Sequence, residues 1–233
     1  MAGVYTGSKC ILVPIDMCEM PAREKWQEII YAVHELSRMK IAPDYVSQST
    51  GKPGNFGNAG FTYIDGDGKK ILAVTPSGEP MADLRNENDL VYVRRFYIRK
   101  GKMFVEAYSP KEGREPTSEV PLYYSGLMSG SFDMDFDAIV HGHDKLIIDA
   151  REQIESEYEN VGSTYTTADF GTEEFSRAVN GIAEEKYNAG HETGVSLAVY
   201  HVPDGGVFAY SSGISKSLGV IKDIHDRALE MAH

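Results

Sequence analysis

Short apolar runs joined by glycine-bearing turns constrain this chain more than any other feature. Residues 61–64 and 71–74 flank Asp65-Gly66-Asp67-Gly68, residues 90–98 and 103–107 flank Lys100-Gly101-Lys102, and residues 195–202 and 207–210 flank Pro203-Asp204-Gly205-Gly206. Turns of this composition reverse a chain between strands, so each pair reads as a hairpin. Around them lie helical patterns. In residues 23–39 the apolar Trp26, Ile29, Ile30, Val33, Leu36 and Met39 recur at intervals of three and four and leave Glu24, Lys25, Glu28, Glu35 and Arg38 for solvent. That is the stripe of an amphipathic helix. Residues 145–158, 172–187 and 215–232 read as further helices. Residues 117–128 do too, with Thr117 or Ser118 as cap and Pro121 in the first turn. The helices flank the hairpins instead of alternating one-for-one with strands. The expected fold is therefore α/β, a three-layer α/β/α domain with a largely antiparallel central sheet and no doubly wound topology.

At 233 residues the chain is long enough for one sizeable core, and residues 1–233 read as a single domain. The first 22 residues form an N-terminal extension of unknown role. Thirty-five acidic against 23 basic residues give a net charge of −12, which argues against nucleic acid and anionic membrane as partners. The apolar stretches at 10–15 and 195–202 are too short to span a bilayer, and no signal peptide is read, so the expected compartment is the cytoplasm. Cys10 and Cys18 belong to no metal-binding spacing and read as reduced, structural residues.

The chemistry concentrates at His141-Gly142-His143, which follows the apolar Ala138-Ile139-Val140. Residues i and i+2 of a strand face the same way, so two imidazoles share one edge, two-thirds of a three-histidine zinc site. Upstream lie Gly57-Asn58, Thr75-Pro76-Ser77-Gly78 and Pro116-Thr117-Ser118-Glu119. Asn58, Ser77, Gly78, Thr117 and Ser118 offer an amide, hydroxyls and backbone N–H groups suited to substrate or phosphate oxygens. Glu119 suits proton transfer beside a metal, and its position at a helix start would equally suit the helix dipole.

In order, Gly57-Asn58, Thr75 to Gly78, Asp89-Leu90-Val91-Tyr92-Val93, Pro116 to Glu119 and Val140 to His143 resemble the class II aldolase/adducin family, the relatives of fuculose-1-phosphate aldolase. The resemblance covers roughly residues 57–143 and continues loosely to the C-terminus. It implies a zinc-dependent lyase of carbohydrate metabolism, cleaving or forming a carbon–carbon bond in a small sugar or sugar phosphate through a metal-bound enediolate. His201 would be the third ligand beside His141 and His143, with Glu119 as the catalytic acid/base. It also implies a homotetrameric ring and a proton-donating tyrosine, for which Tyr158 and Tyr165 are in range. Gly60 and Thr62 depart from the family's phosphate pattern. A dehydratase of the methylthioribulose-phosphate type or an epimerase are neighbouring readings, and a non-catalytic adducin-like interaction module is the reading from another class.

Overall fold

The computed structural model describes residues 10–16, 19–42, 44–46, 53–55, 57–169, 171–199 and 205–233, the backbone alone for 44–46, 53–55 and 199. The elements run β1 (Ile11–Pro14), α1 (Arg23–Arg38), β2 (Asp44–Val46), β3 (Pro53–Asn55), β4 (Asn58–Ile64), β5 (Lys70–Val74), β6 (Val91–Arg99), β7 (Lys102–Tyr108) and α2 (Val120–Leu127). They continue with β8 (Ala138–Gly142), α3 (Lys145–Asp149), α4 (Arg151–Glu157), β9 (Val161–Tyr165), α5 (Glu173–Asn188), β10 (Thr193–Val199), β11 (Gly206–Ser211) and α6 (Ile214–Met231).

Nine strands form one sheet in the order β1-β7-β6-β5-β4-β8-β11-β10-β9, and β2 pairs with β3 separately. This corrects the expectation of a largely antiparallel sheet. The sheet is mixed, with parallel pairing at both edges: β1 runs parallel to β7, and β9 parallel to β10. The second pair is joined by α5, because parallel neighbours need a crossover where antiparallel ones need only a turn. The first pair comes from the N-terminal segment read as an extension, whose Ile11, Leu12 and Val13 join an edge where Pro14 costs no ladder bond.

Helices cover both faces. Alternation along β8 sends Ala138 and Val140 into an apolar cluster with Ile29, Val33 and Leu36 of α1 and Leu218 and Ile221 of α6. Ile139 points the other way, into a cluster with Leu122 and Tyr123 of α2 and Phe175 and Val179 of α5. His141, two residues on, shares the face of Ile139. At the end of α1, Lys40 takes a left-handed turn (φ 61°). The N–H groups of Ile41 and Ala42 then close on the Leu36 carbonyl. That turn brings Ile41 to β8, where its carbonyl accepts from the His143 N–H at 2.6 Å.

Three local expectations change. Residues 145–158 form two helices divided at Ala150, with Asp144 capping the first through the N–H groups of Leu146 and Ile147. Glu119, not Thr117 or Ser118, occupies the N-cap of α2. Asn58, in the glycine- and asparagine-rich stretch 50–60 that the sequence alone reads as a loop, opens strand β4 and so gains a fixed register. Cys18, His201 and the turn residues Pro203 and Asp204 lie outside the described residues. No helix among the described residues is long and apolar enough to cross a membrane.

Candidate active site

Sheet register assembles the site. Asn58 of β4 stands opposite His141 of β8, and His141 stands opposite Phe208 of β11. Directly opposed residues of antiparallel strands project to the same side, so the amide, the imidazole and the phenyl ring form a row on the face covered by α2 and α5. The His141 and Phe208 rings stack at 3.9 Å between centroids and 4° between planes. Gly206 is what allows this: an added Cβ would lie 2.8 Å from His141 Cε1 and 2.9 Å from Phe208 Cε2.

Two bonds orient the imidazole pair. His141 Nδ1 lies 3.1 Å from the Val207 carbonyl oxygen, an obligate acceptor, so Nδ1 carries the proton and Nε2 presents its lone pair. That Nε2 lies 3.1 Å from His143 Nε2. Burial pushes the His141 pKa down to about 3, against a smaller opposing effect of the Val207 bond, so the ring is neutral at ordinary pH. His143 is half-buried. Its successor Asp144 accepts a bond from His225 Nδ1 at 2.5 Å, which ties the end of β8 to α6.

Glu119 is buried at the start of α2. Its Oε2 accepts from Asn58 Nδ2 at 2.5 Å and from Thr117 Oγ1 at 2.6 Å, while Oε1 accepts a longer bond from Ser118 Oγ at 3.2 Å. Tyr123 OH donates to Asn58 Oδ1 at 2.6 Å. Of these groups Asn58, Thr117, Glu119 and Tyr123 are buried and Ser118 is half-buried.

The turn carrying Ser77 and Gly78 lies alongside this segment. Ser77 N–H donates to the Glu115 carbonyl, Thr117 N–H donates to the Thr75 carbonyl, and Pro76 bridges to Pro116. Gly78 is exposed at φ 72°. Charged residues fasten the same two loops. Arg114 bonds both oxygens of Glu79 through the Nε and Nη2 edge of its guanidinium and donates from Nη1 to Asp89 at 2.8 Å, and Lys111 also pairs with Asp89. Burial raises the Asp89 pKa, but Lys111, Arg114 and the N–H groups of Arg85 and Asn86 outweigh it and hold the carboxyl at about 2.

The structure thus brings Asn58, Thr117, Ser118 and Glu119 into direct contact, joins His141 to His143, and links the two groups through register. Ser77 and Gly78 stand on the adjoining turn, their link to the cluster made through the backbone. Among the described residues no group of three or more histidine, cysteine, aspartate or glutamate side chains is placed to hold a metal ion. Sequence reasoning missed Tyr123, although it lies four residues after Glu119, the spacing that stacks side chains on one helix face. The tyrosines it named lie elsewhere. Tyr158 packs against the α1/α6 cluster, and Tyr165 is 69% exposed on the edge strand β9.

No family model matches the chain, and no curated protein matches it. Solved structures that match include the C-terminal domain of protein MJ0236, 11% identical, covering 92% of this chain and 100% of that one, with a TM-score of 0.44. Another is the C-terminal domain of phosphomethylpyrimidine kinase, 12% identical, covering 86% of this chain and 98% of that one, with a TM-score of 0.40. These findings correct the resemblance read from the sequence: no model of the class II aldolase/adducin family matches, and the two solved structures named carry other titles. The motifs that bore it are strand ends, turns and a helix start, where glycine, serine, threonine and asparagine serve backbone geometry in any fold. With the family fall the assignments it alone supplied: the zinc-dependent aldolase or other lyase of carbohydrate metabolism, the dehydratase and epimerase variants and the adducin-like module.

Proposed function

We propose that the chain is an enzyme that moves a proton on a small polar molecule, with Glu119 as the acid–base group and a divalent transition-metal ion held by His141 and His143. One observation carries the reading. Glu119 is buried among amide and hydroxyl donors, on the sheet face where two imidazole Nε2 atoms converge. The amide and hydroxyl donors fix the carboxylate in one orientation and leave Oε1 with the longer bond of its two oxygens, the one open to a substrate.

The imidazoles fit an ion. Neutral rings ligate through a lone pair, and His141 has its other nitrogen fixed by the Val207 carbonyl, the usual way an outer partner orients a ligand. The 3.1 Å between the Nε2 atoms is close to the about 3.3 Å that two bonds of about 2.0–2.1 Å at a tetrahedral angle require. A bound divalent ion would supply Lewis acidity toward an oxygen of the substrate. His201 is the proposed third ligand. Asn58 and Thr117, engaged with Oε2, position the carboxylate. That assigns the exchanging proton to Oε1 and leaves the hydroxyl of Ser77 and the N–H of Gly78 to donate to substrate oxygens, while Ser118 Oγ, donating to Oε1, can accept from a substrate hydroxyl.

The test is proton exchange. Zinc-loaded protein in D2O is incubated with a panel of small hydroxy-carbonyl compounds, and loss of carbon-bound protons is followed by NMR. Wild type is expected to exchange at least one compound, and Glu119→Gln to do so more slowly by roughly 10² to 10⁴. Exchange at the wild-type rate in Glu119→Gln, or in a His141→Ala/His143→Ala double variant, contradicts the reading.

A further inference from the structure

Tyr123 is wholly buried, and its hydroxyl reaches past the apolar cluster to the amide of Asn58. An asparagine amide has nearly the same shape either way round, so its partners decide which end points where. Here one end faces a carboxylate, which can only accept, and the other faces a hydroxyl that donates. We infer that Tyr123 is a positioning residue: its O–H pins Asn58 Oδ1 and thereby holds Nδ2 on Glu119 Oε2, in a register that Gly60 makes possible. The inference rests on the reading of Glu119 as the acid–base group.

The geometry is specific to these residues. Gly60 lies two positions beyond Asn58 on β4 and so faces the same side. A Cβ there would come within 2.8 Å of Tyr123 Cδ1 and 2.9 Å of Cε1, the body of the ring and not a flexible end. Any other residue at 60 would lift the ring off the strand and draw the hydroxyl from Asn58. Burial first, and the charge of Glu119 second, raise the Tyr123 pKa well above its ordinary value, so the group stays a hydroxyl donor. Tyr123 and Glu119 leave α2 one turn apart while Asn58 comes from the sheet, so the chain Tyr123–Asn58–Glu119 closes across the helix–sheet interface. Removing the hydroxyl leaves Oδ1 as a buried acceptor without this donor, so the amide keeps only its bond to Oε2 and loses the second anchor that fixes its plane.

The experiment reads the Asn58 side-chain amide by ¹H–¹⁵N NMR in wild type, Tyr123→Phe and Gly60→Ala, with the proton-exchange assay run beside it. In wild type the Nδ2 protons are expected to exchange with solvent at least about tenfold more slowly than those of an exposed asparagine, as bonded buried groups do. In both variants that protection and the shift of the carboxylate-bonded proton are lost. Turnover falls about tenfold with KM unchanged. Fast exchange already in wild type overturns the inference, even where Tyr123→Phe does not fold. So does an unchanged Asn58 signature in a folded variant, or a lost signature with full turnover. Loss of the signature on a protein that turns over nothing, wild type included, removes the proton-transfer reading and leaves Tyr123 as the group that fixes Asn58.

Discussion

Asp89 and Glu119 are both buried carboxylates at the ends of neighbouring loops, and their surroundings differ in kind. Asp89 is met by Lys111, by Arg114 and by two backbone N–H groups. Glu119 is met by an amide and two hydroxyls. Both sets satisfy the oxygens, but only the first neutralises the charge. A carboxylate balanced by cations fastens loops through charge, whereas one met by an amide and hydroxyls is fixed in orientation by dipoles alone. The contrast teaches that burial and hydrogen bonding alone do not distinguish the two carboxylates; on the proposed reading, the charge of the partners separates the structural acid from the acid–base group.

The largest effect expected is on metal. His141→Ala or His143→Ala should take zinc from about one ion per chain to none in elemental analysis, while Asp89→Asn leaves it in place. Equal metal in all three variants breaks the assignment. Next in size is stability. Asp89→Asn strands Lys111 and part of Arg114, and should cost about 2–3 kcal/mol, a fall of roughly 5–10 °C in Tm, with turnover retained. Acid sharpens the same point. The Asp89 pKa is held below its ordinary value, so its contribution is complete above about pH 4 and lost as pH falls toward 2. That amounts to about 2 kcal/mol. Denaturant titrations from pH 5 to 2 should show this slope in wild type and a shallower one in Asp89→Asn. The smallest effect belongs to Ser118→Ala, which removes the longer bond to Oε1: turnover falls less than about tenfold and Tm stays within about 2 °C.

Much of this was legible in the chain. The stripe Ile29, Ile30, Val33, Leu36 marked α1, and the turn residues 65–68 and 100–102 marked two hairpins, because helical periodicity and glycine turns are local signals. The pairing of His141 with His143 followed from strand alternation. What was hidden depended on partners distant in sequence. Ile11–Pro14 shows no more than a short apolar run until β7 offers it an edge. The β9–α5–β10 crossover looks like any strand, helix and strand until the two strands are seen side by side. Asn58 resembled a loop residue because glycine and asparagine precede it, and its register against His141 is a property of β8. Tyr123, one of 14 tyrosines, gains meaning from Gly60 and Asn58 on another element. Family likeness then filled the gap wrongly, since motifs made of turn and cap residues recur wherever strands end and helices begin.

Thermal unfolding of Glu119→Gln beside Asp89→Asn tests the central contrast most directly, and it needs no substrate. Gln can accept from Asn58 and Thr117 with its carbonyl and donate to Ser118 Oγ with its amide, so the substitution keeps every bond and replaces a carboxylate that no cationic side chain meets among the described residues. The account predicts that Glu119→Gln unfolds at or above the wild-type temperature while Asp89→Asn unfolds several degrees below it. A Glu119→Gln protein destabilised as much as Asp89→Asn would show that the Glu119 charge is itself structural, and would contradict the account.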